Sequence, residues 1–353
     1  MRPPDVTVAR PDPAFWAGCR VLVTGHTGFK GSWLSLLLHH LGAQVSGLAL
    51  PAEPDGAFTA MRPPVESTIV DIRDAAAVAD TVRRVRPDIV LHLAAQALVN
   101  IGHERPLETF ATNTMGTANI LHALHSTPAA VALVITSDKV YRDPGNGAVL
   151  DEESPLGGLD PYSASKAAAE HVAACWRERL RPSGCQVATA RAGNVFGGGD
   201  SSVGRLVPDV IRAHHSGVQL VLRRPASVRP WQYVLDVLSG YLIYAQALFN
   251  GKAPPALNFG PDPSTAITAA ALAERLQQAL GAPAGWRHEG ATFDEVAELR
   301  LDPRLAMQTL GWRTTTDVER AVISTAAWHQ SARRGEDMRG VGVALIEAHS
   351  QSL

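Results

Sequence analysis

One stretch constrains this chain more than any other: Val21-Leu22-Val23-Thr24 runs without interruption into Gly25-His26-Thr27-Gly28-Phe29-Lys30-Gly31. The aliphatic run reads as a buried strand, and Ser32 to Leu41 beyond it reads as a helix folded back on that strand. A helix that begins directly after such a turn presents free N–H groups and the positive end of its dipole at one point, where an anion is stabilised. The GxxGxxG spacing divides the work: Gly25 permits the tight turn, Gly28 lets backbone approach a pyrophosphate, and Gly31 lets helix and strand close together. Glycines alone collect in any turn, but the strand before them and the helix after them make this a dinucleotide loop, with Gly25, Thr27, Gly28, Phe29, Lys30 and Gly31 as candidate cofactor contacts.

The same alternation continues downstream. Strands are expected at Arg20 to Thr24, Gln44 to Leu48, Ser67 to Val70, Ile89 to Leu93, Ala132 to Thr136 and Gln186 to Arg191, with helices at Ser32 to Leu41, Ala75 to Val85, Leu107 to Leu124 and Ser163 to Leu180. Repeated βαβ units of this kind build an α/β fold, a Rossmann-type doubly wound parallel sheet with helices on both faces. After Arg191 the alternation weakens and Gly-, Asp- and Pro-bounded loops take over, so a smaller, discontinuous α/β substrate-binding lobe is expected. The division is a dinucleotide-binding domain over 18–195, with 228–262 returning to it, and a lobe from 196–227 and 263–334. Residues 1–17, rich in Pro and charge, read as a flexible tail, and 335–353 as a frayed extension.

Composition narrows the partners. Among 353 residues the net charge is −2, with basic and acidic residues interleaved, so neither a nucleic-acid face nor a membrane-surface helix is expected, and no apolar run reaches membrane-spanning length. Cys19, Cys175 and Cys185 are odd in number and outside any CxxC spacing, which argues against a disulfide framework or a zinc site and suits a reducing cytoplasm. The expected partner is a small molecule.

Other candidate cofactor contacts follow strands or open helices. Leu93-Ala94-Ala95-Gln96 places small residues where a nicotinamide would lie, and Asn113 is suited to bracing the catalytic strand. Asp71-Ile72 suits the adenine amino group, although a surface acid beside a core isoleucine reads the same way. One feature is missing: the second strand ends Gly47-Leu48-Ala49-Leu50, without the acid that binds the adenosine ribose, and Glu53 comes only later. No Arg follows closely to grip a 2′-phosphate, and Lys30 is the nearest cation, so the cofactor is read as NAD rather than NADP.

Tyr162-Ser163-Ala164-Ser165-Lys166 sets a phenol and an ammonium one helical turn apart, facing one cleft. A nearby ammonium together with a nicotinium charge lowers a phenol pKa toward neutrality, which makes Tyr162 a base for a sugar hydroxyl. Ser137-Asp138-Lys139 ends a buried strand at the carboxyl edge of the sheet, where open α/β folds bind ligands. Ser137 is placed to hold the oxygen undergoing oxidation, while Asp138 and Lys139 add acid and base chemistry that simple hydride transfer does not need.

Taken together, Thr24 to Gly31, His92 to Gln96, Asn113 with Gly116-Thr117, Tyr162 with Lys166, and Arg191 to Val195 resemble the extended short-chain dehydrogenase/reductase family, from about Phe15 to Trp312. Within it, His26 to Leu34, Thr136 to Lys139, Gly197-Gly198-Gly199-Asp200 and Arg229-Pro230-Trp231-Gln232 look like the CDP-glucose 4,6-dehydratase branch. That resemblance implies that bound NAD oxidises a nucleotide sugar at C4, that water is then lost across C5 and C6, and that the hydride returns at C6. It gives Tyr162 the role of base at O4, Lys166 that of lowering its pKa and holding the nicotinamide ribose, and Ser137 that of assisting at O4. Asp138 protonates the departing hydroxyl and Lys139 serves the C5 proton, where dTDP-glucose relatives carry Glu. Asn194 becomes a diphosphate or sugar contact, Arg205 and Arg229 lie near the phosphates, and Gln96 and Leu206 complete the substrate set. Trp231 is expected in lobe packing rather than base stacking. Pairing through the helices that follow Asn113 and Tyr162 gives a homodimer.

The chain departs from that pattern at Asn100, Gly102 and His103, where Arg, Ser and Tyr are expected in a loop over the sugar. This leaves open a dehydratase of another NDP-hexose and a nucleotide-sugar 4-epimerase, against which Asp138 and Lys139 argue together. A non-catalytic dinucleotide-binding protein is the remaining alternative.

Overall fold

The computed structural model describes residues 8–145, 147–290 and 300–352. Seven parallel strands make the central sheet: β1 (Arg20–Thr24), β2 (Gln44–Ala49), β3 (Glu66–Ile69), β4 (Ile89–His92), β5 (Val131–Ile135), β6 (Gln186–Ala192) and β7 (Ala256–Phe259). They lie in the order β7-β6-β5-β4-β1-β2-β3. The chain therefore reverses its direction of travel across the sheet between β1 and β4, and such a reversal opens a crevice at the carboxyl ends of the strands. This is the doubly wound α/β arrangement expected. β4 and β5 are buried at every residue, so they read as unbroken apolar runs rather than alternating ones.

Helices α1 (Phe29–His40), α2 (Ala75–Val85), α3 (Gly116–Ser126) and α4 (Pro161–Leu180) follow β1, β3, β4 and β5. Two large apolar cores result, beside a small one around Val140, Leu150 and Leu301. One holds Trp33 and Leu36 of α1 with the later helices, and the other holds Leu22, Val78, Val82, Ile120 and Leu124. The single helix expected over Leu107 to Leu124 is broken into Pro106–Phe110, a π-helical turn at Ala111–Met115, and α3. Such a widened turn commonly marks a functional position, and this one carries Asn113.

Beyond β6 come α5 (Leu206–Ser216), α6 (Val234–Phe249), α7 (Ala269–Ala279), α8 (Val318–Arg333) and α9 (Met338–Ser352). β7 joins the sheet beside β6, pairing Ala256 with Thr189 and Phe259 with Ala192. Short pairs, Leu220–Leu222 with Trp286–His288 and Val228–Arg229 with Ile267–Thr268, lie outside the main sheet.

Both chain ends differ from expectation in their described parts. Instead of a loose tail, Val8 is buried, Trp16 is wholly buried, and the Trp16 indole donates to Gln246 Oε1 at 3.0 Å. A single large anchor in a Pro-rich segment has no periodicity to reveal it. Residues 1–7 lie outside the described residues. Instead of a frayed extension, 338–352 is helical: Met338, Ile346 and His349 are buried, and Gly342 fits closely over Leu36 and Met61. That helical spacing is present in the sequence, spread thinly among small residues.

Candidate active site

Gly25 and Gly31 sit in the tight spaces expected of them. Gly25 has φ +73°, and a Cβ there would sit 2.8 Å from the Ala94 nitrogen. One on Gly31 would lie 2.1 Å from the Gly25 carbonyl oxygen, so only glycine lets α1 approach the turn. Gly28, by contrast, meets nothing closer than 3.4 Å, and as N-cap of α1 it supplies no side chain to cover the helix's first N–H groups. Those donors have no intrahelical acceptor. A dinucleotide pyrophosphate fits this notch.

The His26 imidazole is buried against Gly47, its Nε2 2.7 Å from Ser67 Oγ, and burial pushes its pKa down to about 4. Thr27 Oγ1 donates to Leu50 O at 2.9 Å. Asp71 is gripped by Arg73 at 2.6 Å, which holds its carboxyl below the usual range, and Ile72 is buried against Gly116. Lys30, the cation nearest the loop in sequence, is not beside β2. It lines the main cavity, where burial and the charges of Lys166 and Arg205 push its pKa down to about 7.

That cavity, about 350 Å³, opens at the carboxyl ends of the strands and gathers most of the expected set. Phe29, Lys30, Leu93, Ala95, Ser137, Asp138, Lys139, Tyr162, Lys166, Asn194, Arg205, Leu206 and Arg229 all line it. Gly25, Thr27, Gly28, Gly31, Asp71, Ile72, Ala94, Gln96 and Asn113 do not. Asn113 works behind the wall: its Oδ1 accepts from Gln96 N at 2.8 Å, and its Nδ2 donates to Gln96 O and to Ser165 Oγ, both at 2.9 Å. It thereby ties the loop after β4 to the turn of α4 that bears Tyr162. The Gln96 amide is engaged by Leu98 of its own loop and by Thr109 of the helix Pro106–Phe110, so its side chain is not offered to a ligand.

Tyr162 and Lys166 are buried on one face of α4, and Lys166 Nζ donates to Ile135 O at 3.0 Å. Burial pushes the Lys166 pKa down to about 8, against the pull of Glu170. The expected depression of the Tyr162 pKa is not present without a cofactor charge: burial raises it, while a hydrogen bond with Ser137 and the Arg205 charge act the other way. Ser137 Oγ donates to Asp138 Oδ1 at 2.8 Å and accepts from Lys139 N at 3.1 Å. Arg205, partly exposed, reaches Asp200 Oδ2 at 3.2 Å. Trp231 lines the cavity and also packs as expected, its indole donating to Ile267 O at 3.2 Å.

Of the three departures, only Asn100 lines the cavity. Gly102 is buried with its Cα against Tyr162, where a Cβ would come within 3.2 Å, and His103 is exposed. Sequence reasoning missed the support beneath the site. Glu170 accepts from Thr136 Oγ1 at 2.5 Å, Thr189 Oγ1 at 2.8 Å and Arg191, all buried, and so ties the end of β5 to α4 and β6. It also missed the loop at Gly198, whose carbonyl accepts from the Trp33 indole at 2.8 Å. Thr136, Arg191, Trp33 and Gly198 lie in the motifs above and Glu170 lies outside them, but spacing alone says nothing of contacts across the fold.

The sequence matches the NAD dependent epimerase/dehydratase family model over residues 21–260. It is 41% identical over 340 residues to a CDP-glucose 4,6-dehydratase of Salmonella typhimurium, covering 93% of this chain and 95% of that protein. Among solved structures, a dTDP-glucose 4,6-dehydratase from Streptomyces venezuelae with NAD bound superposes with a TM-score of 0.76 at 25% identity, over 90% of this chain and 99% of the other. A UDP-glucose 4-epimerase of Thermus thermophilus in complex with NAD gives 0.78 at 26% identity, over 89% and 99%. With the glycine loop, the Tyr162–Lys166 helix and the doubly wound sheet in place, the chain belongs to the NAD-dependent epimerase/dehydratase family.

Proposed function

We propose that this enzyme is an NAD-dependent nucleotide-sugar 4,6-dehydratase that converts CDP-glucose to CDP-4-keto-6-deoxyglucose. The observation that carries the reading is the gathering of Ser137, Asp138, Lys139, Tyr162 and Lys166 on one cavity, since two proton-transfer groups beyond Tyr162 have no use in a simple oxidation. NAD, held by the loop of Gly25 to Gly31 and by Lys166, would supply a reversible hydride acceptor between C4 and C6. Tyr162 takes the O4 proton, helped by Ser137, and Lys166 supplies a fixed positive charge that favours the phenolate. The ketone at C4 acidifies C5–H. Lys139 removes that proton, Asp138 delivers one to the C6 hydroxyl, and water leaves. Arg205 and Arg229, two of the four arginines that line the cavity, are read as the diphosphate contacts, which a guanidinium suits by geometry.

The identity to the Salmonella enzyme favours cytidine and glucose, and Asn100 is the residue of the altered loop in a position to modify that preference. Residues 18–195 with 228–262 are read as the cofactor domain, and 196–227 with 263–334 as the substrate lobe. Homodimer formation through the helices around Asn113 and α4 is supported by exposed Leu107, Met115 and Leu159, apolar side chains that a partner would cover. Among the described residues the cysteines are free and no helix is long and apolar enough to cross a membrane, in keeping with a cytoplasmic enzyme. The test is a substrate panel: CDP-glucose beside UDP-, GDP- and dTDP-glucose. The reading expects a product one water lighter, fastest from CDP-glucose. An isomer of unchanged mass points instead to epimerase chemistry, and a clear preference for another base overturns the cytidine assignment.

A further inference from the structure

Between β6 and the short strand Val195–Phe196 the chain does something unusual. Asn194 sits at φ +53°. The two other described non-glycine residues with positive φ, Arg62 and Arg86, are helix C-caps, where that conformation is ordinary. Asn194 ends no helix. A strained backbone at a catalytic cavity persists only when its surroundings hold it there, and it invites a functional explanation.

The explanation lies across the cavity wall. Asn194 Nδ2 donates to Asp138 Oδ2 at 3.2 Å, while Ser137 Oγ donates to Oδ1 of the same carboxyl. Gly193 leaves the notch that the carboxyl fills: a Cβ there would lie 2.0 Å from Asp138 Oδ2 and 2.1 Å from its Cγ. The Gly193-Asn194 turn is itself clamped by Gln232, which is almost wholly buried. Gln232 Nε2 donates to Gly193 O at 2.8 Å and to Phe259 O at 3.0 Å, and Gln232 N donates to Asn194 O at 3.2 Å. The Arg229 to Gln232 motif thus reaches the carboxyl of Asp138 through one turn of backbone.

We infer that Asn194 is a positioning residue for Asp138, held in its strained conformation by Gln232, and that the pair serves the water-loss step rather than the binding of the diphosphate. This rests on the dehydratase reading above. An N–H on Oδ2 keeps that oxygen as an acceptor, so in the protonated carboxyl the transferable proton resides on Oδ1, and the Ser137 hydroxyl, free to rotate, turns its own hydrogen from Oδ1 toward Tyr162. In the step itself the Oδ1–H bond breaks, the C6 hydroxyl oxygen gains the proton, the C6–O bond breaks with its electron pair leaving in water, and the C5–H electrons become the new C5–C6 double bond.

Asn194→Gly tests this, because glycine accepts positive φ and only the amide is lost. Loss of a hydrogen bond to a carboxyl that gains its charge as the proton leaves is expected to lower kcat on CDP-glucose about 10- to 100-fold. KM should stay within about twofold, because substrate binding is not touched. The step affected is water loss, so reduced nicotinamide absorbance should build up during turnover in the variant and not in wild type. Asp138→Asn should show the same build-up, and the double variant should be no slower than Asp138→Asn alone. Gln232→Leu, with the amide of Asn194 intact but its turn released, should give a weaker form of the same signature. NAD affinity, followed by tryptophan fluorescence, should not change. A raised KM without that build-up would make Asn194 a substrate contact and overturn the inference, as would wild-type rates in Asn194→Gly. Failure of the dehydratase reading is separate: wild type would then give no 4-keto-6-deoxy product at all.

Discussion

Replacing Lys166 with Met should abolish catalysis and yet stabilise the cofactor-free protein. Lys166 is buried, and its pKa falls from 10.5 to about 8 on folding. At 1.36 kcal/mol per unit, holding that ammonium in the folded state costs about 3 kcal/mol at neutral pH. Met fills similar volume without the charge. It leaves Ile135 O without its donor, which costs roughly 1 kcal/mol, so a net gain of about 1–3 kcal/mol is expected. The pH dependence carries the distinguishing sign. Below about pH 8 both folded and unfolded chains hold the proton, and the whole cost is present. Between about 8 and 10.5 the folded chain has released the proton while the unfolded chain still binds it, so wild-type stability rises and the advantage of Lys166→Met closes. Urea denaturation of both cofactor-free proteins at neutral pH and near pH 10 measures the gap. A variant less stable than wild type at neutral pH, or a gap that does not shrink as pH rises, would refute the assignment of a strained, buried ammonium.

Two further outcomes are specific. Gly28→Ala should fold with a midpoint close to wild type but lose NAD affinity by an order of magnitude or more, whereas Gly31→Ala, with its Cβ forced against the Gly25 carbonyl, should lose several kcal/mol of stability; thermal melts with and without NAD separate the two. Leu107→Glu with Met115→Glu should convert a dimer to monomer in sedimentation, because both side chains are exposed and adding charge there costs nothing within one subunit; an unchanged mass would remove these helices as the pairing surface.

The parts legible in the sequence are those governed by local rules. The glycine loop, the buried strands and the Tyr162–Lys166 spacing each obey a short-range geometry, and each is where it was expected. The π turn at Asn113 was not legible, because a widened turn changes hydrogen bonding without changing composition. Trp16 and α9 were misread for a related reason: single anchors and sparse apolar positions gain their meaning only from the surfaces they meet. The direction of the Tyr162 shift required knowing how dry its surroundings are, and the engagement of Asp138 by Asn194 links residues 56 apart in sequence. Roles drawn from a motif name the participants, but which of them touch one another is decided by tertiary structure.

The most direct measurement of the account follows a deuterium placed at C4 of CDP-glucose. If Tyr162, Asp138 and Lys139 act as argued, the product is one water lighter and carries the label at C6, with a solvent-derived hydrogen at C5. Label returned to C4 in a product of unchanged mass would mean epimerisation, and would contradict the central claim.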